Sequence, residues 1–144
     1  MSRVGLKRIS KSPLDTLSIG REIGKRLPPN QTVCLYGDLG AGKTTLIKGI
    51  VEELTKTSAH EVNSPTFTYL NIYEGEETIY HFDCYRLENA KDFLERGLEE
   101  YLDGLCLIEW PERISSLLPK NRSIINISYQ GKEERVITYE ESSL

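Results

Sequence analysis

The sequence predicts an α/β fold built on a mixed parallel and antiparallel sheet, and three observations carry that expectation. Residues 32–36 form an apolar, strand-like run that leads directly into a glycine-rich loop and then a helical pattern, the order of a strand–loop–helix unit. Residues 105–108 form a four-residue apolar run, short enough for a strand buried on both faces of a parallel sheet. Two pairs of strand-like segments, 67–73 with 78–82 and 123–129 with 135–139, are each joined by a polar loop of hairpin length.

In chain order, residues 5–9 alternate as a short edge strand, and Ser12-Pro13 supplies a helix cap followed by a first-turn proline. Leu14, Leu17, Ile23 and Leu27 recur at nearly helical spacing, with Gly20 and Gly24 on related turns where close packing is expected, and Pro28-Pro29-Asn30 ends the pattern. The strand at 32–36 and a helix at 43–54 flank the glycine loop. Asn89 is placed to cap a helix carrying Phe93 and Leu94, Gly97 interrupts it, and 98–102 resumes a short helical stretch. After the 105–108 strand come Glu109-Trp110-Pro111, a short helix at 114–118, and the second hairpin around Gln130-Gly131-Lys132. There is no internal repeat and no linker, so residues 1–144 are expected to form a single domain around one active centre.

Charged residues make up 28% of the chain and hydrophobic residues 38%, and no apolar run approaches the roughly 18 residues that a membrane span requires. The basic amino terminus lacks the apolar stretch of a secretory signal, which points to the cytoplasm. Cys34, Cys84 and Cys106 are odd in number, widely spaced and set among apolar neighbours, as expected of reduced core thiols. A net charge of −4 lacks the basic footprint of a protein that holds DNA or RNA unaided, so any contact with RNA is expected to run through a partner.

The strongest chemical signal is Gly37-Asp38-Leu39-Gly40-Ala41-Gly42-Lys43-Thr44, followed by Thr45, which satisfies G-x-x-x-x-G-K-[ST] between a strand and a helix. Glycines permit the tight path that turns successive N–H groups inward, and the helix amino terminus adds its partial positive charge. Residues 38–45 are therefore the expected nucleotide-binding loop. Lys43 would reach the β and γ phosphates, and the Thr44 hydroxyl would ligate Mg²⁺.

Such a loop also requires an acidic residue at the end of a neighbouring buried strand. Glu109 ends the aliphatic 105–108 run, and Asp83 ends the more aromatic run that includes His81. The aliphatic strand is the better sheet centre, which assigns Glu109 to the metal and Asp83 to organising water or a metal-bound water. Thr66, in Ser64-Pro65-Thr66-Phe67, lies where many phosphate switches place a γ-phosphate-sensing hydroxyl. Trp110 follows Glu109 at a strand end, where ligands bind open α/β sheets, and is expected to cover the core edge or shape the site. His81 reads as a packed core histidine, and Arg86 as a residue that reaches an anion or pairs with a neighbouring acid.

With Gly37 to Thr45, Ser64-Pro65-Thr66-Phe67, His81-Phe82-Asp83-Cys84-Tyr85-Arg86-Leu87 and Glu109-Trp110-Pro111 in this order, the chain resembles the bacterial TsaE family over nearly its whole length. The resemblance implies a three-layer P-loop α/β sandwich with a mixed sheet. It also implies a small ATPase required for the N6-threonylcarbamoyladenosine (t6A) modification of tRNA adenosine 37, using ATP and Mg²⁺. On this reading the chain binds the TsaB–TsaD heterodimer, meets tRNA only through that complex, and hydrolyses ATP to reset it. Thr44 and Glu109 would be magnesium ligands, with Asp83 and Trp110 functionally important. Residues 12–16 would approach the nucleotide, although an acidic residue is common in the family where this chain has Ser12.

Two other classes share the loop. A small-molecule P-loop kinase usually carries an arginine-rich lid, whereas Arg113 and Arg122 are isolated here. A GTPase switch carries D-x-x-G after the loop and N-K-x-D for guanine; both are missing, Asn89-Ala90-Lys91-Asp92 being a near miss.

Overall fold

The computed structural model describes residues 2–37, 42–57, 62 and 69–142, with backbone alone for 2–4 and 142. The chain runs β1 (Ser2–Ser10), α1 (Pro13–Arg26), β2 (Thr32–Tyr36), α2 (Lys43–Thr55), β3 (Leu70–Tyr73), β4 (Ile79–Asp83), α3 (Ala90–Glu95), a 3₁₀ turn (Leu98–Tyr101), β5 (Leu105–Glu109), a 3₁₀ segment (Pro111–Leu117), β6 (Arg122–Gln130) and β7 (Glu134–Ser142). These strands form one seven-stranded sheet in the order β1-β7-β6-β2-β5-β4-β3. The centre, β6-β2-β5-β4, is parallel, and β3, β7 and β1 add to it antiparallel, giving the expected mixed sheet.

Each element forms for a local reason. The Ser12 side chain accepts the Asp15 N–H at 3.1 Å, the Asp15 carboxylate reaches back to the Lys11 N–H at 3.0 Å, and Pro13 opens α1 where its missing N–H costs nothing. Lys25 and Arg26 complement the partial negative charge of its last turn. Strand β2 is buried at four of its five positions and β5 at all five, which explains why both read as continuous apolar runs rather than alternating ones. Strand β1 extends well beyond the expected 5–9, because pairing with β7 carries it through a register irregularity between Val4 and Leu6. The stretches expected as short helices at 98–102 and 114–118 are 3₁₀ in form, the first at Leu98–Tyr101 and the second within Pro111–Leu117, where non-helical backbone at Ile114 interrupts the turns. Asn89 caps α3 by accepting the Asp92 N–H at 3.0 Å, so the guanine-motif near miss is a helix start.

The sheet is covered on both sides, completing the three-layer α/β sandwich. One core joins α1 and α2 to the sheet through Ile19, Ile23, Leu46, Ile47, Ile50, Val33, Leu35 and Leu107. The other packs Phe93, Leu98 and Ile114 against Phe82, Cys106 and Ile108. Cys34, Cys84 and Cys106 are free and buried, as expected, and burial pushes their thiols up to about 11, about 12 and about 12.

Helices α1 and α2 touch backbone to backbone. A Cβ on Gly20 would stand 2.3 Å from the Leu46 carbonyl oxygen, and one on Gly49 would stand 2.2 Å from that of Leu17, so neither position accepts a side chain. Contacts running from Thr16 beside Gly42, through Gly20 beside Gly49, to the Arg21–Glu52 ion pair show that both helices start at the same end of the molecule. The expected close packing at Gly20 thereby brings the start of α1 to the start of α2. No helix among the described residues is long and apolar enough to cross a membrane.

Candidate functional site

The site lies at the carboxyl ends of the parallel strands. Strand β2 delivers the chain to Gly37, where a Cβ would meet the Ile127 carbonyl oxygen at 2.6 Å, and α2 begins after Gly42, whose φ of 100° suits glycine. Asp38, Leu39, Gly40 and Ala41, the middle of the expected nucleotide loop, lie outside the described residues, as does Thr66. Of the rest of the loop, Lys43 is buried, Thr44 exposed and Thr45 half-buried at the first turn of α2.

Strand β5 runs directly beside β2, with Glu109 in register with Leu35, and β4 lies on its other side, with Asp83 in register with Glu109. The two candidate acids therefore sit side by side at the level where β2 enters the loop. Because register partners share a face, both carboxylates lie on the α1/α2 side of the sheet. The next residue, Trp110, has φ 57° and ψ 49°, a left-handed conformation costing about 1–3 kcal/mol for a residue other than glycine. Its ring lies 4.9 Å from the Lys43 ammonium, a cation–π contact that joins the ends of β5 and α2. Trp110 also packs beside Tyr85 at 4.9 Å and against the second core, so it covers the core edge.

The carboxylates differ in their partners. Glu109, 3% exposed, meets His81 Nε2 through Oε2 at 2.7 Å. His81, 1% exposed, is packed in the core as expected, and its Nδ1 faces the Tyr73 hydroxyl at 3.1 Å. Asp83 is half-buried and accepts the Tyr85 N–H at 3.0 Å, an Asx-type turn. Its carboxyl is raised above the usual range, chiefly by burial, with the Glu109 charge adding to the rise and the Tyr85 N–H and Lys43 opposing it. Arg86 is exposed and has no ion-pair partner among the described residues.

Beside the loop helix is a cavity of about 340 Å³ lined by Ser12, Pro13, Thr16, Gly42, Thr45 and Arg135, among others. It joins the start of α1 to Gly42 and Thr45 at the start of α2, and the β6–β7 turn closes it with Lys132 and Glu133. Those hairpin residues, and Tyr73, were not singled out from the sequence. The parallel pairing of β6 with β2, which puts the hairpin turn at the loop end of the sheet, joins segments about ninety residues apart and leaves no local signal.

Comparison with known proteins agrees with this architecture. Residues 10–137 match the family model described as "Threonylcarbamoyl adenosine biosynthesis protein TsaE". The chain is 42% identical over 137 residues to the tRNA threonylcarbamoyladenosine biosynthesis protein TsaE of Bacillus subtilis, covering 93% of this chain and 84% of that one. It is 39% identical over 135 residues to the protein of the same name from Treponema pallidum, covering 92% and 98%. A crystal structure of Bacillus subtilis YdiB superposes with a TM-score of 0.78 at 34% identity, covering 99% of this chain and 88% of that one. With a family model matched over residues 10–137 and relatives 39% and 42% identical over most of both chains, the chain belongs to the TsaE family.

Proposed function

We propose that this protein is a Mg²⁺-dependent, ATP-binding and ATP-hydrolysing accessory protein of t6A formation at tRNA adenosine 37, acting in the cytoplasm on the TsaB–TsaD heterodimer. The observation that carries the nucleotide part is the register of β2 with β5, which puts a buried carboxylate, Glu109, beside the strand that feeds the phosphate loop. Lys43 resting on Trp110 supports the same reading, since a phosphate-binding lysine is held at the end of the strand that carries the acid. The pathway and partner rest on family membership and on what the resemblance implies.

The donors fit magnesium. Glu109 and Asp83 offer carboxylate oxygens and Thr44 a hydroxyl, hard ligands of the kind Mg²⁺ takes alongside phosphate oxygens and water. When bound, the ion would neutralise charge on the β and γ phosphates. Glu109 and Thr44 are the residues assigned to hold it. Asp83, whose burial already favours a proton on its carboxyl, is assigned to orient water. Lys43 leaves the indole face to meet the phosphates, and the cavity between α1, α2 and the β6–β7 turn would take the nucleoside. Thr66 is retained as the γ-phosphate sensor on sequence grounds.

The decisive experiment is ATP hydrolysis by the purified chain, alone and with the two partner subunits. Stimulation by the partners supports the proposal; no magnesium-dependent ATP binding or turnover in either setting refutes it. Phosphate transfer to a small acceptor would instead favour a kinase.

A further inference from the structure

Glu109 is an acid almost wholly removed from water, and such a group requires donors or a cation to offset its lost hydration. One donor is in place. His81, opposite Leu107 on the neighbouring strand, reaches Oε2 from the same face of the sheet, 28 residues away in sequence. The hydrogen bonds continue outward across β4 to β3. Tyr73 faces His81 Nδ1 with its hydroxyl at 3.1 Å, its ring stacked on the imidazole at a centroid distance of 5.9 Å, and Asn71 Nδ2 donates to that hydroxyl at 3.3 Å.

The chain has a direction. A carboxylate oxygen only accepts, so the imidazole hydrogen sits on Nε2 and is donated to Glu109. Nδ1 of that tautomer is an acceptor, which the Tyr73 hydroxyl faces as donor while its oxygen accepts from Asn71. Three successive donors thus end on one carboxylate oxygen, while Oε1 has no protein partner among the described residues. A ligating acid held this way at one oxygen presents the other in a fixed direction, which is how outer hydrogen bonds tune metal sites.

We propose that His81 is a positioning residue for the nucleotide-bound divalent cation: backed by Tyr73, it pins Oε2 of Glu109 so that Oε1 is presented at the strand end. This rests on the assignment of Glu109 to magnesium made above. His81 touches neither nucleotide nor metal, and its whole effect passes through the carboxylate.

The test is calorimetric binding of a non-hydrolysable ATP analogue in Mg²⁺ and, separately, in EDTA, for the full chain and for Glu109→Ala, His81→Leu, His81→Gln and Tyr73→Phe, each checked for folding by circular dichroism. Leucine fills the core without donating, whereas the glutamine amide can still donate to Glu109. His81→Leu should lose roughly 10–100-fold in affinity in Mg²⁺ with affinity in EDTA unchanged. His81→Gln should recover most of that loss, and Tyr73→Phe should show a smaller loss confined to Mg²⁺. The proposal is overturned if folded His81→Leu keeps its magnesium-dependent affinity, if it loses equally in EDTA, or if His81→Gln is as impaired as His81→Leu. Should His81→Leu not fold, Tyr73→Phe decides, and unaltered magnesium dependence there overturns the proposal. If Glu109→Ala itself leaves magnesium dependence intact, the metal assignment fails and the positioning role falls with it, an outcome distinct from the others.

Discussion

Strands β4 and β5 run parallel and end level with each other, yet their terminal carboxylates have different surroundings. Glu109 closes a strand buried at every position and is held by a side chain from the neighbouring strand. Asp83 closes a strand nearer the sheet edge and is held by the backbone of its own turn, through the Tyr85 N–H. An acid tethered by a buried histidine is fixed by the sheet, whereas one tethered by a turn follows that turn. In the proposed function, this difference is the basis for giving the ion to the inner acid and water to the outer one.

The test with the largest expected effect removes the cation that lies over Trp110, the residue after Glu109. Lys43→Ala should lower ATP turnover by roughly a hundredfold or more, the usual cost of deleting one preorganised phosphate donor, with far-ultraviolet circular dichroism unchanged. Near-normal turnover in the folded variant would dissolve the site around which the two acids are compared.

Glu109→Ala should come next, weakening nucleotide binding in Mg²⁺ by about 1.5–3 kcal/mol, the range for a charge-assisted contact, or about tenfold to a hundredfold. Titrations with and without Mg²⁺ measure this directly. Asp83→Ala should lower kcat by roughly 10–100-fold while leaving nucleotide affinity close to that of the parent, as for an interaction that matters mainly in the transition state. If Asp83→Ala instead weakens magnesium-dependent binding while Glu109→Ala does not, the roles of the two strand ends are reversed.

The smallest effect concerns stability. Burial raises the Asp83 pKa on folding, so folding favours the protonated acid. Its contribution is most favourable below the unfolded pKa and is lost as pH rises through the folded value, leaving a penalty at neutral pH. Asp83→Asn keeps an oxygen for the Tyr85 N–H and removes the charge. It should raise Tm at pH 7 by about 2 °C in nucleotide-free buffer, a gain that disappears in acid. A lower Tm at pH 7 would show that the ionised form is the better accommodated one.

Much of this arrangement was legible in the sequence because its signals are local. Continuous apolar runs announced β2 and β5, Ser12-Pro13 and Asn89 announced their helices, and the aliphatic character of 105–108 correctly put Glu109 on a central strand, beside the one that leads into the glycine loop. His81 was correctly read as a core residue, but its bond to Glu109 depends on the register of β4 with β5 and could not be read from either segment. The same holds for Tyr73, and for Lys132, Glu133 and Arg135, which a distant hairpin brings to the start of α1. The length of β1 escaped because an edge strand with exposed residues at positions 7–9 carries little apolar periodicity.

The three native thiols have a practical consequence for following this protein at work. Each is buried, with its pKa pushed up to about 11 or 12, so at neutral pH almost none exists as the thiolate that attacks maleimides or disulfides. The folded chain should be nearly silent to thiol-directed dyes without removal of any native cysteine. A single cysteine introduced at an exposed position such as Leu94, 43% accessible on α3, would then be the one fast-reacting thiol and could carry a fluorophore or spin label.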